Sequence, residues 1–210
     1  MPDVAAPARP AWRWLAVAVV AGLLLGPLDL WGQVEAPYPW ANLFNSPSVW
    51  AAAAFAYGRW AADRVAAPVG ATVLLVVAVE AYYLADVVFR GADRGNLTSS
   101  TAMVWVFAGV VAGLVFGTAG AWAAQRTGWM AVVGKAALPA VFGAEAVRNL
   151  VRIANEPADG RPDDLGEFAA ILAVLAVVVL VAVVRGAERR VAIAATALAV
   201  VAAAVVGVIT

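Results

Sequence analysis

Apolar runs of about 20 residues, long enough to span a bilayer core, follow one another along the chain, separated by groups of charged, Pro, Gly or Asn residues. As a helix rising about 1.5 Å per residue, such a run crosses a hydrocarbon slab about 30 Å thick. Seven runs fit, at 11–30, 47–64, 68–90, 101–124, 128–152, 165–185 and 191–210. The expected fold is all-α: a polytopic transmembrane helix bundle of about seven spans, in one integral membrane domain over residues 1–210. Local signals agree. Asn45-Ser46-Pro47 places a cap residue before Pro at the first helical position of the second span. Asp164 and Glu167 have capping-box spacing at the start of the sixth. Leu15–Leu25 follows Arg9 and Arg13 as in a signal peptide, but Pro27-Leu28-Asp29-Leu30-Trp31 offers no small-residue cleavage site. The first span is therefore expected to be retained.

Composition narrows the function classes. Hydrophobic residues make up 64% of the chain and charged residues 13%, against about 25% charged in a soluble domain. Net charge is zero and no basic block occurs, so nucleic acid is not an expected partner. Without Cys there are no disulfides or thiolate metal sites, and without His the commonest metal ligand is missing. No metal and no cofactor is expected. Thirteen Arg to one Lys, with much Ala, Val and Gly, matches the codon bias of a GC-rich bacterial genome and points to a bacterial inner membrane. With the N-terminus inside, eight arginines fall on inner segments and five on outer ones. The positive-inside rule then favours a cytoplasmic N-terminus and an outer C-terminus.

Against this apolar background the polar positions stand out. Glu80 lies roughly 18 Å from Pro68 and roughly 15 Å from Arg90 along the third span. A carboxylate near the bilayer centre costs on the order of 3 kcal/mol on the insertion scale. It usually faces a bundle interior and marks a functional site. Tyr82, Tyr83 and Asp86 share with it a wedge of about 160° at 100° per residue. Glu80 and Asp86 are the candidate acids, and Tyr82 and Tyr83 line the same face. On the fifth span Glu145, Arg148, Asn149 and Arg152 fall at i, i+3, i+4 and i+7, a second polar face nearer the outer end. This face reads as an anion clamp or as the counter-charge to Glu80 and Asp86. Lys135, the only lysine, lies deeper on nearly the same stripe, and Pro139 is expected to kink that helix. The segment Pro27–Ser46, PLDLWGQVEAPYPWANLFNS, reads as a long outer loop covering the pocket and offering Asp29, Asn42 and Asn45 to its rim. Trp50, one turn into the second span, joins the ligand-binding candidates.

Small residues suggest how the helices pack. Gly109, Gly113 and Gly117 form a stripe on the fourth span, and Gly22 and Gly26 a shorter one on the first. Such stripes let backbones approach closely in a membrane. Packing within the chain is the first expectation, and a homo-oligomer through the fourth-span stripe the second. Gly120, off that stripe, is expected to matter less.

NLFNSPSVWAAAAFAYGRWA, followed by the EAYYLADVV helix, resembles an uncharacterised family of actinobacterial multi-pass membrane proteins that pair an Asn-Ser entry to the second helix with a Tyr-Tyr pair on the third. The resemblance covers roughly residues 15–155 and implies no known activity. Seven small spans with acids at depth also resemble membrane-bound terpene cyclases in architecture, which would imply a carboxylic acid initiating cyclisation. The outward pocket is similar to that of vitamin-binding transporter subunits, although these usually have fewer helices.

The leading functional expectation is an outward-facing polar pocket, Glu80 at its bottom, that binds or transports a small polar or amphiphilic ligand. The alternatives are a membrane-embedded enzyme using Glu80 or Asp86 as general acid on a lipid or isoprenoid, and a structural subunit of a membrane complex. Partners are then the lipid bilayer and a small-molecule, lipid or isoprenoid ligand. The charge bias generates a direct test of orientation. An Ala36→Cys variant of this Cys-free chain should react with a membrane-impermeant thiol reagent added outside intact cells. Reaction only after exposure of the cytoplasmic face reverses the topology.

Overall fold

The computed structural model describes residues 11–125, 127–155, 164–183, 191, 193–197 and 200. Among them there is no strand. The helices are α1 (Ala11–Glu35), α2 (Ala41–Phe44), α3 (Pro47–Ala61), α4 (Ala66–Arg90), α5 (Ser100–Ala123), α6 (Trp129–Asn155) and α7 (Leu165–Val183), with a 3₁₀ turn at Arg94–Thr98. Among the described residues, five helices are long and apolar enough to cross a membrane: α1, α4, α5, α6 and α7. At 15 residues, α3 spans only about 22 Å, and it packs against α4, α5 and α6. The all-helical membrane bundle expected from the hydropathy pattern is what is found. The expected seventh span, 191–210, lies mostly outside the described residues. Within it, Thr196 Oγ1 donates to Ala136 O at 3.5 Å, and Val200 stands against Gly143. The two contacts advance in the same direction along both segments.

One boundary moved in a way that matters. The expected outer loop Pro27–Ser46 is helical as far as Glu35, so α1 continues through Pro27. An internal Pro removes one ladder hydrogen bond, but packing holds the helix together here. Gly22 and Gly26 lie directly on α4, and a Cβ at Gly26 would run into the carbonyl oxygen of Ala78. What remains of the loop is residues 36–40 and α2. Phe44 folds back against Gly32, and the Asn42 amide bonds the Asp164 carboxylate at the start of α7. Asp164 thus anchors α2.

Small side chains fill the interior and large ones cover the exterior. Buried positions are dominated by Ala, such as Ala18, Ala54, Ala67, Ala71 and Ala78. Val20, Leu24, Val104, Phe107 and Val177 point outward. A water-soluble bundle would do the reverse. In lipid, association rests on close contact and not on removing apolar area from water, so small residues collect at the interfaces.

The stripe Gly109, Gly113 and Gly117 lies against α4: Gly109 faces Leu75, Gly113 faces Thr72, and Gly117 faces Ala67 and Ala71. Gly120 departs from expectation. A Cβ there would strike the Phe55 carbonyl on α3, which puts Gly120 at a second close crossing.

The ends of the helices away from α2 have their own locks. Tyr57 Oη donates to Trp14 O at 2.7 Å. Arg59 Nη1 donates to Ala123 O at 2.8 Å, placing a cation at the negative end of α5. In the turn before α4, Asp63 Oδ1 accepts the N–H groups of Ala66 and Val65, both at 2.8 Å. Those two bonds hold its carboxyl below the ordinary Asp value.

Gly113→Leu and Gly120→Leu should therefore both destabilise, by about 1–3 kcal/mol each from overpacking. Thermal unfolding in detergent should show both melting several degrees below the native chain, with the outward-facing Val115→Leu unchanged. A native melting temperature for Gly120→Leu would remove the α3–α5 crossing from this account.

Candidate functional site

Four helices meet around a cavity of about 140 Å³, partly open to the exterior. Helix α1 brings Asp29 and Gln33; the entry of α3 brings Asn45, Pro47 and Trp50; α4 brings Leu75, Val79, Tyr82 and Tyr83; α5 brings Trp105, Ala108, Gly109 and Ala112. Asp29, Gln33, Tyr82 and Tyr83 lie in the C-terminal halves of α1 and α4, which run parallel, and Pro47, Trp50, Trp105, Ala108 and Gly109 lie in the N-terminal halves of α3 and α5, which run the other way. The α2 end of the bundle is thus the pocket end.

Asp29 organises this wall. It is 3% exposed. Trp50 Nε1 donates to its Oδ2 at 3.1 Å, and Gln33 Nε2 donates to the same oxygen at 3.3 Å. The other end of the Gln33 amide accepts from Tyr82 Oη at 3.3 Å. One chain of polar contacts therefore joins α3, α1 and α4. Tyr82 and Tyr83 meet edge to face, with ring centroids 5.4 Å apart and planes at 78°.

A second polar cluster lies on the other side of the α3 entry. Glu145 is 7% exposed. Its Oε2 accepts from Ser46 Oγ at 2.7 Å and from the Ser48 N–H at 3.2 Å, and it also contacts the Ser48 hydroxyl. That hydroxyl lies within 3.1 Å of Val141 O. Ser46 occupies the cap position of α3 but makes no cap bond of its own. A carboxylate from α6 takes the orphan N–H in its place. Glu145 Oε1 lies 3.7 Å from Arg148 Nη2, whose side chain is 60% exposed. Asn149, one turn further on, is 2% exposed, and its Nδ2 has no partner among the described residues.

The structure thus brings Asp29, Asn45, Trp50, Tyr82 and Tyr83 into one cavity. It sets Glu145, Arg148 and Asn149 apart in the α3–α6 cluster, where Glu145 caps α3 and the Arg148 cation faces Glu145 and not Glu80 or Asp86. Glu80 is corrected most. It is exposed, on the outward side of α4 with Leu84 and Val88, and does not line the cavity. Glu80 and Tyr82 stand at opposite ends of a wedge of about 160°, and the neighbouring helices cover only the tyrosine end. Asp86 also lies outside the cavity and pairs with Arg90 at 3.2 Å, one turn along α4. Pro139 lies inside an unbroken α6.

The family model described as a family of unknown function (DUF6518) matches residues 5–210. The chain belongs to DUF6518. No curated protein and no solved structure matches it. In this DUF6518 chain, sequence reasoning missed Gln33, Trp105 and the pairing of Ser46 and Ser48 with Glu145. Gln33 was within reach, because Asp29 and Gln33 are spaced i, i+4 and so share a helix face. Reading Pro27–Ser46 as a loop hid that relation. Nothing local to Trp105 or Glu145 marks its partner.

The Glu145 geometry generates a sharp contrast. Glu145→Gln keeps an acceptor for Ser46 and Ser48 and should change stability by less than about 1 kcal/mol. Glu145→Leu strands two or more buried donors at about 1–3 kcal/mol each and should cost on the order of 3 kcal/mol. Denaturation of both variants in the same detergent checks this. Equal loss in the two would show that charge, and not acceptor count, holds the α3 entry.

Proposed function

We propose that this multi-pass membrane protein binds a small polar or amphiphilic ligand in the cavity between α1, α3, α4 and α5. We place the pocket at the outer face of a bacterial inner membrane, with the N-terminus in the cytoplasm. The observation that carries the reading is the cavity itself, with the Asp29 carboxylate in its wall. Its volume of about 140 Å³ is close to the ~150 Å³ of a protein cavity that admits benzene. A mostly apolar lining with a few convergent polar groups is the usual make-up of a small-molecule site. The arginine bias along the sequence supports the orientation. Glu80 and Asp86, outside the cavity, have no part in holding the ligand in this reading; Asp29 is the acidic residue of the site.

A panel of small cationic, anionic and neutral amphiphiles, screened by thermal shift on the purified chain, tests the pocket. A ligand at 100 times its Kd stabilises by about 2.7 kcal/mol, a shift of several degrees. At least one class should produce it. Ala108→Phe, which puts a ring into the cavity, should abolish the shift while keeping the native helical content. Shifts that persist unchanged in Ala108→Phe, or none with any class, overturn the proposal.

A further inference from the structure

The proposed pocket also carries information about the charge of what it holds. Among its lining residues there is one carboxylate, Asp29, and no Lys or Arg. Both donors that reach this carboxylate converge on Oδ2. Oδ1 accepts from no described residue, so one acceptor of this side chain is left to a ligand. Around it stand four aromatic side chains, Trp50, Tyr82, Tyr83 and Trp105, drawn from three different helices. Ring faces carry negative potential and attract a cation held within about 6 Å. Rings and a carboxylate around a small volume are the arrangement that recognises ammonium groups. An anion would find no cationic side chain in this lining and would face the Asp29 carboxylate. An uncharged apolar ligand would leave Oδ1 without a partner.

We infer that the ligand is a small organic cation, with an amine or quaternary ammonium group held between Asp29 Oδ1 and the rings of Trp50, Tyr82, Tyr83 and Trp105. This rests on the pocket proposed above. Asp29 supplies the charge complement, and Trp50 and Gln33 fix the carboxylate so that its free oxygen stays available. The rings replace part of the water that the cation gives up on entering.

Calorimetric titration of the full chain in detergent with choline and with 3,3-dimethylbutan-1-ol separates charge from shape, because the alcohol is the uncharged isostere. Choline should bind at least about tenfold more tightly, a difference of about 1.4 kcal/mol. Asp29→Asn keeps an acceptor for Trp50 and should remove most of choline's advantage over the alcohol, leaving the part that the rings supply. Trp105→Leu, at the partly exposed edge of the site, should weaken choline several-fold and the alcohol less. It carries the test by itself if Asp29→Asn fails to fold. Equal affinity of the two compounds for the native chain overturns the cation assignment and leaves the pocket standing. Binding of neither overturns the assignment too, and the amphiphile panel with Ala108→Phe then decides separately whether the pocket binds anything.

Discussion

The entry of α3 is held by the Glu145 carboxylate, and the pocket depends on that contact. A helix start leaves N–H groups without partners, and in an apolar medium no water supplies them. Glu145 reaches from α6 to the Ser48 N–H and the Ser46 and Ser48 hydroxyls. This fixes where α3 begins and which way it faces. Asn45 and Pro47 are thereby set at the cavity wall, and Trp50 is directed towards Asp29. From Asp29 the polar contacts continue through Gln33 to Tyr82. A series of bonds thus runs from α6 through α3 and α1 to α4, all at one end of the bundle.

Elsewhere, apart from the Tyr57 and Arg59 hydrogen bonds at the far end, the helices are held largely by closeness. Gly26 lies on α4, Gly113 on α4 and Gly120 on α3, each so near that a Cβ would meet backbone. The cavity arises where this rule changes its effect. Ala108, Gly109 and Ala112 face large neighbours, Trp50 and Tyr82 among them, across a gap that they do not close. The shortness of side chain that brings backbones together at Gly113 leaves room four residues earlier, where Gly109 makes only ordinary contact with Leu75.

The acids illustrate how much rotation about a helix axis decides. Glu80 and Tyr82 belong to one turn of α4, yet one faces outward and the other faces Gln33. Asp86 has Arg90 within reach on its own helix. Asp29, read as part of the outer loop Pro27–Ser46, is enclosed by the bundle at the cavity wall.

Hydropathy and helix signals along the chain determined that it is a bundle of membrane helices, roughly where most of the described helices begin and end, and which residue types are out of place in lipid. These are local properties: a helix start or an apolar run is set by neighbours within a few positions. The same patterns marked Asp29, Asn45, Trp50, Tyr82 and Tyr83 as candidates, because polar and aromatic groups at depth are conspicuous in any register. Only the tertiary structure decided that these five share a cavity, that Glu145 caps α3, that Trp105 and Gln33 complete the cavity lining, and that Glu80 faces away. Those outcomes depend on the rotation and neighbours of each helix. Contacts between residues such as Ser46 and Glu145, or Gly120 and Phe55, set that rotation, and no periodicity within one segment encodes a partner on another.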